Sequence, residues 1–385
     1  MEIVRLKKEN YDELIALLNE VFTLHNKKES DFEKNLPNMC VRDDAHMSKH
    51  FGIFEDGKLV AAIGVYPLQL NVAGERCLFS TVGNVATLPA YEGRGYMNAL
   101  LVRAMEELER IEADGSRLGG LRHRYNRFGY EPAATRYTFT FSAKNRKNRF
   151  EEGFGDGVSF EKIGREDLAA LQTAWQLHAA AALHVERSAE NGYDEMYRAM
   201  TAWQNVPYAA LKNGKMIGYL CANARGDTLA EAHAESTDAF AEMICAWQRQ
   251  YGATIYFHLF PCEIEQVRLF AARAEAFVVK SPCLFKIVNW EKVIAALMKL
   301  KATYTKLVEG ELTLEIKDYG VLRLFVRGGE IGCERAEGTP EVVLDRLQAT
   351  RYLFGPLPPE FVAHAPAVAR DWLPLPLSWN LQDRV

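Results

Sequence analysis

The stretch Ser80–Val102, STVGNVATLPAYEGRGYMNALLV, decides how this chain is read. Ser80–Leu88 is apolar and β-branched, interrupted by Gly83 and Asn84, and reads as a buried strand with a bulge or splay. Pro89–Gly95 is a short turn with Gly93 and Gly95 on either side of Arg94. From Tyr96 onward Met97, Leu100, Leu101, Ala104, Met105 and Leu108 recur at helical spacing and give one apolar face. A strand, a glycine turn and a helix in that order build an anion site. Free N–H groups at the helix start point outward, the helix dipole adds partial positive charge, and glycine lets the backbone approach a phosphate closely.

Two glycines at a strand–helix junction often serve tight turning alone. No lysine follows the second glycine as a Walker loop requires, and there is no three-glycine dinucleotide fingerprint. What remains is a backbone cradle for a diphosphate, with Arg94 available for a further phosphate contact.

The run V-A-T-L-P-A-Y-E-G-R-G-Y-M resembles motif A of the GNAT N-acetyltransferases, and R-Y-N-R-F-G-Y-E-P-A (Arg124–Ala133) is similar to the tyrosine element that follows it in that superfamily. The resemblance implies acetyl-CoA as co-substrate, held along Val85, Ala86 and Thr87 and around Glu92, Gly93, Arg94, Gly95, Tyr96 and Met97. Glu92 stands where Gln or Arg is usual, and Met97 where a small residue is usual. A bulky residue at the latter position is similar to the multidomain "enhanced intracellular survival" branch.

Length supports several units. At 385 residues the chain exceeds what one core usually carries, and 48% apolar content is enough for several cores. The net charge of −5 argues against a general nucleic-acid binder. Cysteines 40, 77, 221, 245, 262, 283 and 333 lack any C-x-x-C pair and read as reduced thiols. No run is long enough for a membrane span and the N-terminus has no apolar leader, so a soluble, cytoplasmic protein is expected.

Three ranges follow. Residues 1–145 read as an edge strand, a helix at Asn10–Phe22, a polar lip at Thr23–His50, a D-G hairpin (Phe51–Tyr66), a strand pair at Gln69–Phe79, the central stretch, and strands at Leu118–Leu121 and Tyr137–Phe141. Residues 146–284 repeat the hairpin, since G-K-M-I-G-Y-L-C-A (Gly214–Ala222) echoes G-K-L-V-A-A-I-G-V (Gly57–Val65). No glycine turn lies between Glu235 and Thr237, so this copy reads as structural. Residues 285–385 read as a helix at Ile287–Met298, three strands and a helix at Pro340–Leu347, a pattern that resembles a sterol-carrier-protein domain. The fold class expected is α/β (α+β): tandem GNAT folds with mixed, mostly antiparallel sheets and a carrier-like α+β domain.

Acetylating an amine poses a definite obstacle. A primary amine with a pKa of about 10.4 costs roughly 4–5 kcal/mol to deprotonate at neutral pH. A site must take that proton, stabilise an oxyanion and protonate a departing thiolate. Main-chain N–H groups near Val85–Thr87 are natural oxyanion donors. Tyr125 is the candidate general acid, although a tyrosine beside Phe128 and Tyr130 also suits core packing. For the base, His123 competes with ordered water and, by the resemblance, with the Val385 carboxylate. The tail L-P-L-P-L-S-W-N-L-Q-D-R-V carries Pro374, Pro376 and Trp379, which stiffen and anchor it. His46, His50, Asp43, Asp44, His178 and His184 do not read as metal ligands, and no metal is expected. The expected acceptor is a small cationic amine (aminoglycoside-, polyamine- or lysine-like), with neither nucleic acid nor membrane as partner and a homo-oligomer, possibly a hexamer, implied by the resemblance. A non-catalytic acyl-CoA or lipid-binding protein is the competing reading, and a different acyl donor a second.

Overall fold

The computed structural model describes residues 2–356 and 365–383. Its first sheet runs β1 (Val4–Arg5), β2 (His50–Glu55), β3 (Lys58–Val72), β4 (Glu75–Thr87), β5 (Gly115–Leu118), β15 (Cys283–Ile287) and β6 (Glu131–Ala133), with β9 (Leu183–Val185) paired on the far end of β3. β4 and β5 are parallel, and the helix α4 (Tyr96–Arg110) crosses between them. Every residue from Leu59 to Tyr66 is buried, because both faces of β3 are covered. Helices α1 (Tyr11–Asn26) and α4 both pack on this strand. From α4, Leu100, Leu101, Ala104 and Leu108 turn into this core. The lip carries two short helices, α2 (Phe32–Asn35) and α3 (Asp44–Met47), each capped by an aspartate, Asp31 and Asp43.

The repeated hairpin is β10 (Val206–Lys212) and β11 (Lys215–Ala222), in a sheet of order β12-β11-β10-β8 with β12 (Leu229–Ala234) and β8 (Val158–Lys162). Its turn matches that of the β2–β3 hairpin. Asn213 and Gly214 have φ of 53° and 75°, Asp56 and Gly57 of 49° and 75°, the left-handed pair that two-residue hairpin turns require. After β12 the helix Thr237–Tyr251 leads to β13 (Ile255–Leu259), and a lone parallel bridge joins Thr228 to Tyr256.

Sheet membership departs from the expected ranges at two places. Tyr137–Phe141 forms β7 (Arg136–Phe141), but it lies between β13 and β14 (Ala276–Lys280), where Phe139 stacks on Phe257. In exchange β15 enters the first sheet between β5 and β6. Phe139 and Phe141 are buried among Phe240, Phe257 and Phe270, and that aromatic cluster draws β7 out of the first sheet. The strand expected at Leu118–Leu121 ends at Leu118, because Gly119 and Gly120 diverge from β4.

The remaining sheet has the order β18 (Glu330–Arg335), β17 (Gly320–Arg327), β16 (Gly310–Ile316), β19 (Val342–Leu344), beside the helix Trp290–Ala302. The expected helix at Pro340–Leu347 is instead β19, parallel to β16, followed by the helix Arg346–Phe354. Val342 and Val343 favour the strand. Asp345 then starts the helix through a capping box with Gln348.

The chain after the helix Ala367–Trp372 runs back to the first two sheets. Leu375, Leu377 and Trp379 are buried, and Trp379 lies 5.9 Å from Phe79 and 6.3 Å from Phe285, centroid to centroid. Thr135 donates its N–H to the Leu377 carbonyl at 2.8 Å. Further on, the fully buried Arg187 guanidinium binds Glu231 and Asp383, each at 3.0 Å. Burial pushes Asp383 up to about 6 against the pull of Arg187. Burial acts the same way on Glu231, but Arg187 and His178 outweigh it and hold that carboxyl well below its usual range. The tail is therefore locked by charge as well as by packing. No helix among the described residues is long and apolar enough to cross a membrane.

Candidate active site

The site is made by an interruption in the first sheet. β4 and β5 pair from Phe79/Gly115 to Val82/Leu118 and then part. Beyond that point β4 keeps β3 on one side and has no ladder on the other. Its register on β3 shifts between Ala62 and Gly64, so Asn84 and Val85 bulge, with Asn84 at φ 54°. Main-chain groups of the bulge therefore face open space rather than a neighbouring strand. A buried chain of hydrogen bonds fixes the bulge. The Asn84 amide donates to the Tyr66 hydroxyl at 2.5 Å, and that hydroxyl meets His50 Nε2 at 2.7 Å. Burial pushes His50 down to about 4, so its ring is neutral.

The opening is a pocket of about 900 Å³. One wall is the turn and the first residues of α4. Gly93 and Gly95 have φ of 78° and 83°, and Gly95 caps the helix with no side-chain hydrogen bond. The first N–H groups of α4 are left for a ligand. The helix Thr237–Tyr251, which follows the repeated hairpin, differs. There Ser236 accepts from the Ala239 N–H and occupies the helix start.

Of the residues expected at the site, Val85, Thr87, Glu92, Gly93, Gly95, Tyr96, Met97 and Tyr125 line this pocket. Ala86 does not: its methyl group is buried in the core. Arg94 does not either. Its guanidinium lies 4.7 Å over the Tyr91 ring and 3.8 Å from Glu55, which also accepts from the Tyr96 hydroxyl. Its partners here are thus an aromatic face and a carboxylate of the protein. Val385 lies outside the described residues.

Tyr125 closes the helix α5 (Arg122–Tyr125) and is 6% exposed. Burial raises its pKa above 10, while Arg124 pulls the other way, so the phenol is protonated at neutral pH. The segment is held through Glu131, whose buried carboxylate binds Arg122 at 2.5 Å, Asn126 at 2.5 Å and Arg351 at 3.0 Å. His123 shares this helix, is exposed and is not among the pocket residues; two residues apart on a helix, it and Tyr125 face different ways. Tyr130 packs in the core with its hydroxyl 2.7 Å from Ser116 Oγ.

Gly119, Gly120, His25 and Trp203 also line the pocket and were not singled out from the sequence. A glycine pair after a short strand is a recognisable local signal. His25 in the last turn of α1, and Trp203 far along the chain, carry none.

The histidines read as non-ligands have protein partners. His46 Nδ1 is 2.9 Å from Asp43, and His178 sits between Glu231 Oε1 at 3.0 Å and the Val185 carbonyl at 2.7 Å. Among the described residues, His178, Glu231 and His233 bring ligand-type atoms within 4.8 Å of one another. The Arg187 guanidinium already supplies the cation at Glu231.

Residues 2–133 match the family model for the acetyltransferase (GNAT) domain. This part of the chain is a GNAT acetyltransferase domain. That domain makes the chain an enzyme of the acyltransferase class, in a fold that uses acyl-CoA substrates. Full-length structural neighbours have the same fold at low identity. A GCN5-related N-acetyltransferase from Kribbella flavida is 18% identical with a TM-score of 0.66, covering 100% of this chain and 98% of its own. A probable N-acyltransferase from Enterococcus faecalis V583 is 14% identical with a TM-score of 0.67, covering 98% of both. Eis1 from Mycobacterium abscessus is 16% identical with a TM-score of 0.65, covering 97% of this chain and 96% of its own. No curated protein matches the chain in sequence.

Proposed function

We propose that this enzyme moves the acetyl group of acetyl-CoA directly to a primary amine of a small, cationic acceptor. The observation that carries the reading is the parting of β4 from β5 beyond Val82 and Leu118, with the uncapped start of α4 on one side and the Tyr125 phenol on the other. The diphosphate of acetyl-CoA is taken by the main chain of Gly93–Met97, and the thioester lies along the bulge at Asn84–Val85.

In the transfer, the amine nitrogen bonds to the acetyl carbon and the oxygen becomes an oxyanion facing main-chain N–H groups of the bulge. The carbon–sulfur bond then breaks as the oxyanion collapses, and Tyr125 gives its proton to the leaving thiolate. The extra proton on the new amide nitrogen passes to the tyrosinate, which restores the phenol. The amine must first lose a proton. We assign that role to the terminal carboxylate of Val385. Asp383, two residues before it, is anchored to Arg187, and Gln382 is hydrogen-bonded at 2.8 Å to Asn205, two residues from the pocket residue Trp203. Residues 1–145 are proposed as the catalytic unit, 146–284 as a degenerate GNAT-like unit and 285–385 as a sterol-carrier-like unit, in a cytoplasmic homo-oligomer.

The test is thiol release from acetyl-CoA across a panel of primary amines, with the acetylated amine identified by mass. Amine-dependent release with matching product supports the reading. Tight acetyl-CoA binding with no product from any amine would favour an acyl-CoA-binding protein instead.

A further inference from the structure

The pocket wall away from the diphosphate turn is built from three separate pieces of chain. Val21, Phe22 and Leu24 come from the last turns of α1, Phe32 from α2, and Trp203 from the turn Ala202–Gln204 that precedes β10. Leu24 is 59% exposed, and Leu121, which also lines the pocket, is 53% exposed. Two large apolar side chains that line one pocket and are open to solvent give it an apolar mouth.

The charges point the same way. Among the described residues that line the pocket, Glu92 is the one carboxylate, and it belongs to the diphosphate turn; Arg124 and Arg127 also line it. A polycation entering here would lose hydration at each ammonium. Beyond the reacting amine, which the proposed Val385 carboxylate serves, no carboxylate among the described lining residues other than Glu92 would replace it. A single amine on an apolar body would lose none beyond the reacting group.

Trp203 is held in place against its own backbone preference. Its φ is 58°, and that of Gln204 is 57°, left-handed values that are uncommon for bulky side chains. The strain is contained from two sides. Gln204 Nε2 donates to Asn35 Oδ1 at 2.8 Å, tying the turn to α2, and Asn205 donates to the Ala202 carbonyl at 2.9 Å and to Gln382 of the tail at 2.8 Å. Gln382 in turn donates to the carbonyls of Ala199 and Met200 at 3.0 and 2.7 Å. A turn clamped by α2 and by the tail places Trp203 in the pocket wall.

Resting on the transferase reading above, we propose that the acceptor is a monoamine carried on an apolar, ring-sized body, and that Trp203 is the residue that selects it. The body lies between the indole and the Phe22–Phe32 face, which leaves the amine directed at the bulge of β4. The unit that lacks a cradle of its own thus completes the acceptor side of the site.

The experiment compares kcat/KM of the full-length enzyme for 2-phenylethylamine, spermidine and kanamycin with saturating acetyl-CoA. 2-Phenylethylamine is expected to exceed both polyamines by at least about tenfold. Trp203→Ala is expected to raise KM for 2-phenylethylamine about tenfold with kcat and acetyl-CoA affinity little changed. Trp203→Phe, which keeps a ring, is expected to restore most of the loss and guards against misfolding of the alanine variant. A preference for spermidine or kanamycin, or equal KM in all three proteins, would overturn this inference and leave the transferase standing. Failure of every amine would overturn both.

Discussion

The ring of Tyr125 occupies the space that a side chain at position 120 would need: a β-carbon on Gly120 would lie 2.4 Å from Tyr125 Cε2. Gly120 also has a φ of 151°, which side-chain-bearing residues rarely adopt. The glycine after β5 is thus what lets the candidate acid approach the gap between β4 and β5.

Gly120→Ala should therefore displace the phenol without touching the diphosphate turn. Turnover is expected to fall at least about tenfold, with acetyl-CoA affinity within a few-fold of the parent. Steady-state kinetics and calorimetric titration of acetyl-CoA read the two quantities separately. Unchanged turnover would remove Tyr125 from the reaction.

The turn before α4 makes an opposite pair of predictions. Gly95→Ala forces a β-carbon into a left-handed conformation, which costs roughly 1–2 kcal/mol and disturbs the helix start. Acetyl-CoA affinity should weaken about tenfold. Arg94→Ala should weaken it by less than about threefold, because the guanidinium is engaged with Tyr91 and Glu55. A larger loss for Arg94 than for Gly95 would mean that the arginine swings onto the ligand.

Stability should fall as pH drops below 6.5. His50 and His178 are both pushed down to about 4, chiefly by burial, from an ordinary value of 6.5. Between those values the unfolded chain binds protons that the folded one excludes, so stability is full above 6.5 and is lost as pH falls toward 4. Each histidine accounts for up to about 3 kcal/mol. Asp383 acts in the opposite sense, because its pKa is raised to about 6 and the folded state holds its proton between 3.8 and 6. The net of two histidines against one aspartate is a decrease, visible as a lower urea midpoint at pH 5 than at pH 7. His50→Gln should flatten that slope. An unchanged midpoint would contradict the burial of neutral histidines.

Much of the first unit was legible because its signals are local. The alternation at Gly57–Val65, the glycines around Arg94 and the apolar stripe of α4 each declare an element within a few residues. The Asn213–Gly214 turn matches the Asp56–Gly57 turn, so the repeated hairpin was legible as well. What was not legible depends on partners far away in sequence. β7 and β15 read as ordinary strands, and only the aromatic cluster around Phe257 and Phe270 decides which sheet takes β7. Val342–Leu344 is too short to separate from a helix start by periodicity. Trp203 enters the site because Asn35 and Gln382 hold its turn there, and neither contact can be inferred from composition. The contacts of Arg94 with Glu55 and Tyr91 depend on partners in the same way.

The central claim is that Tyr125 protonates the departing thiolate in a pocket that binds acetyl-CoA independently of that phenol. The direct measurement is single-turnover acetyl transfer by Tyr125→Phe beside its equilibrium affinity for acetyl-CoA. The account predicts a transfer rate at least about a hundredfold below the parent, within the range that general acids contribute, and an affinity changed less than threefold. Parent-like transfer by Tyr125→Phe would contradict it.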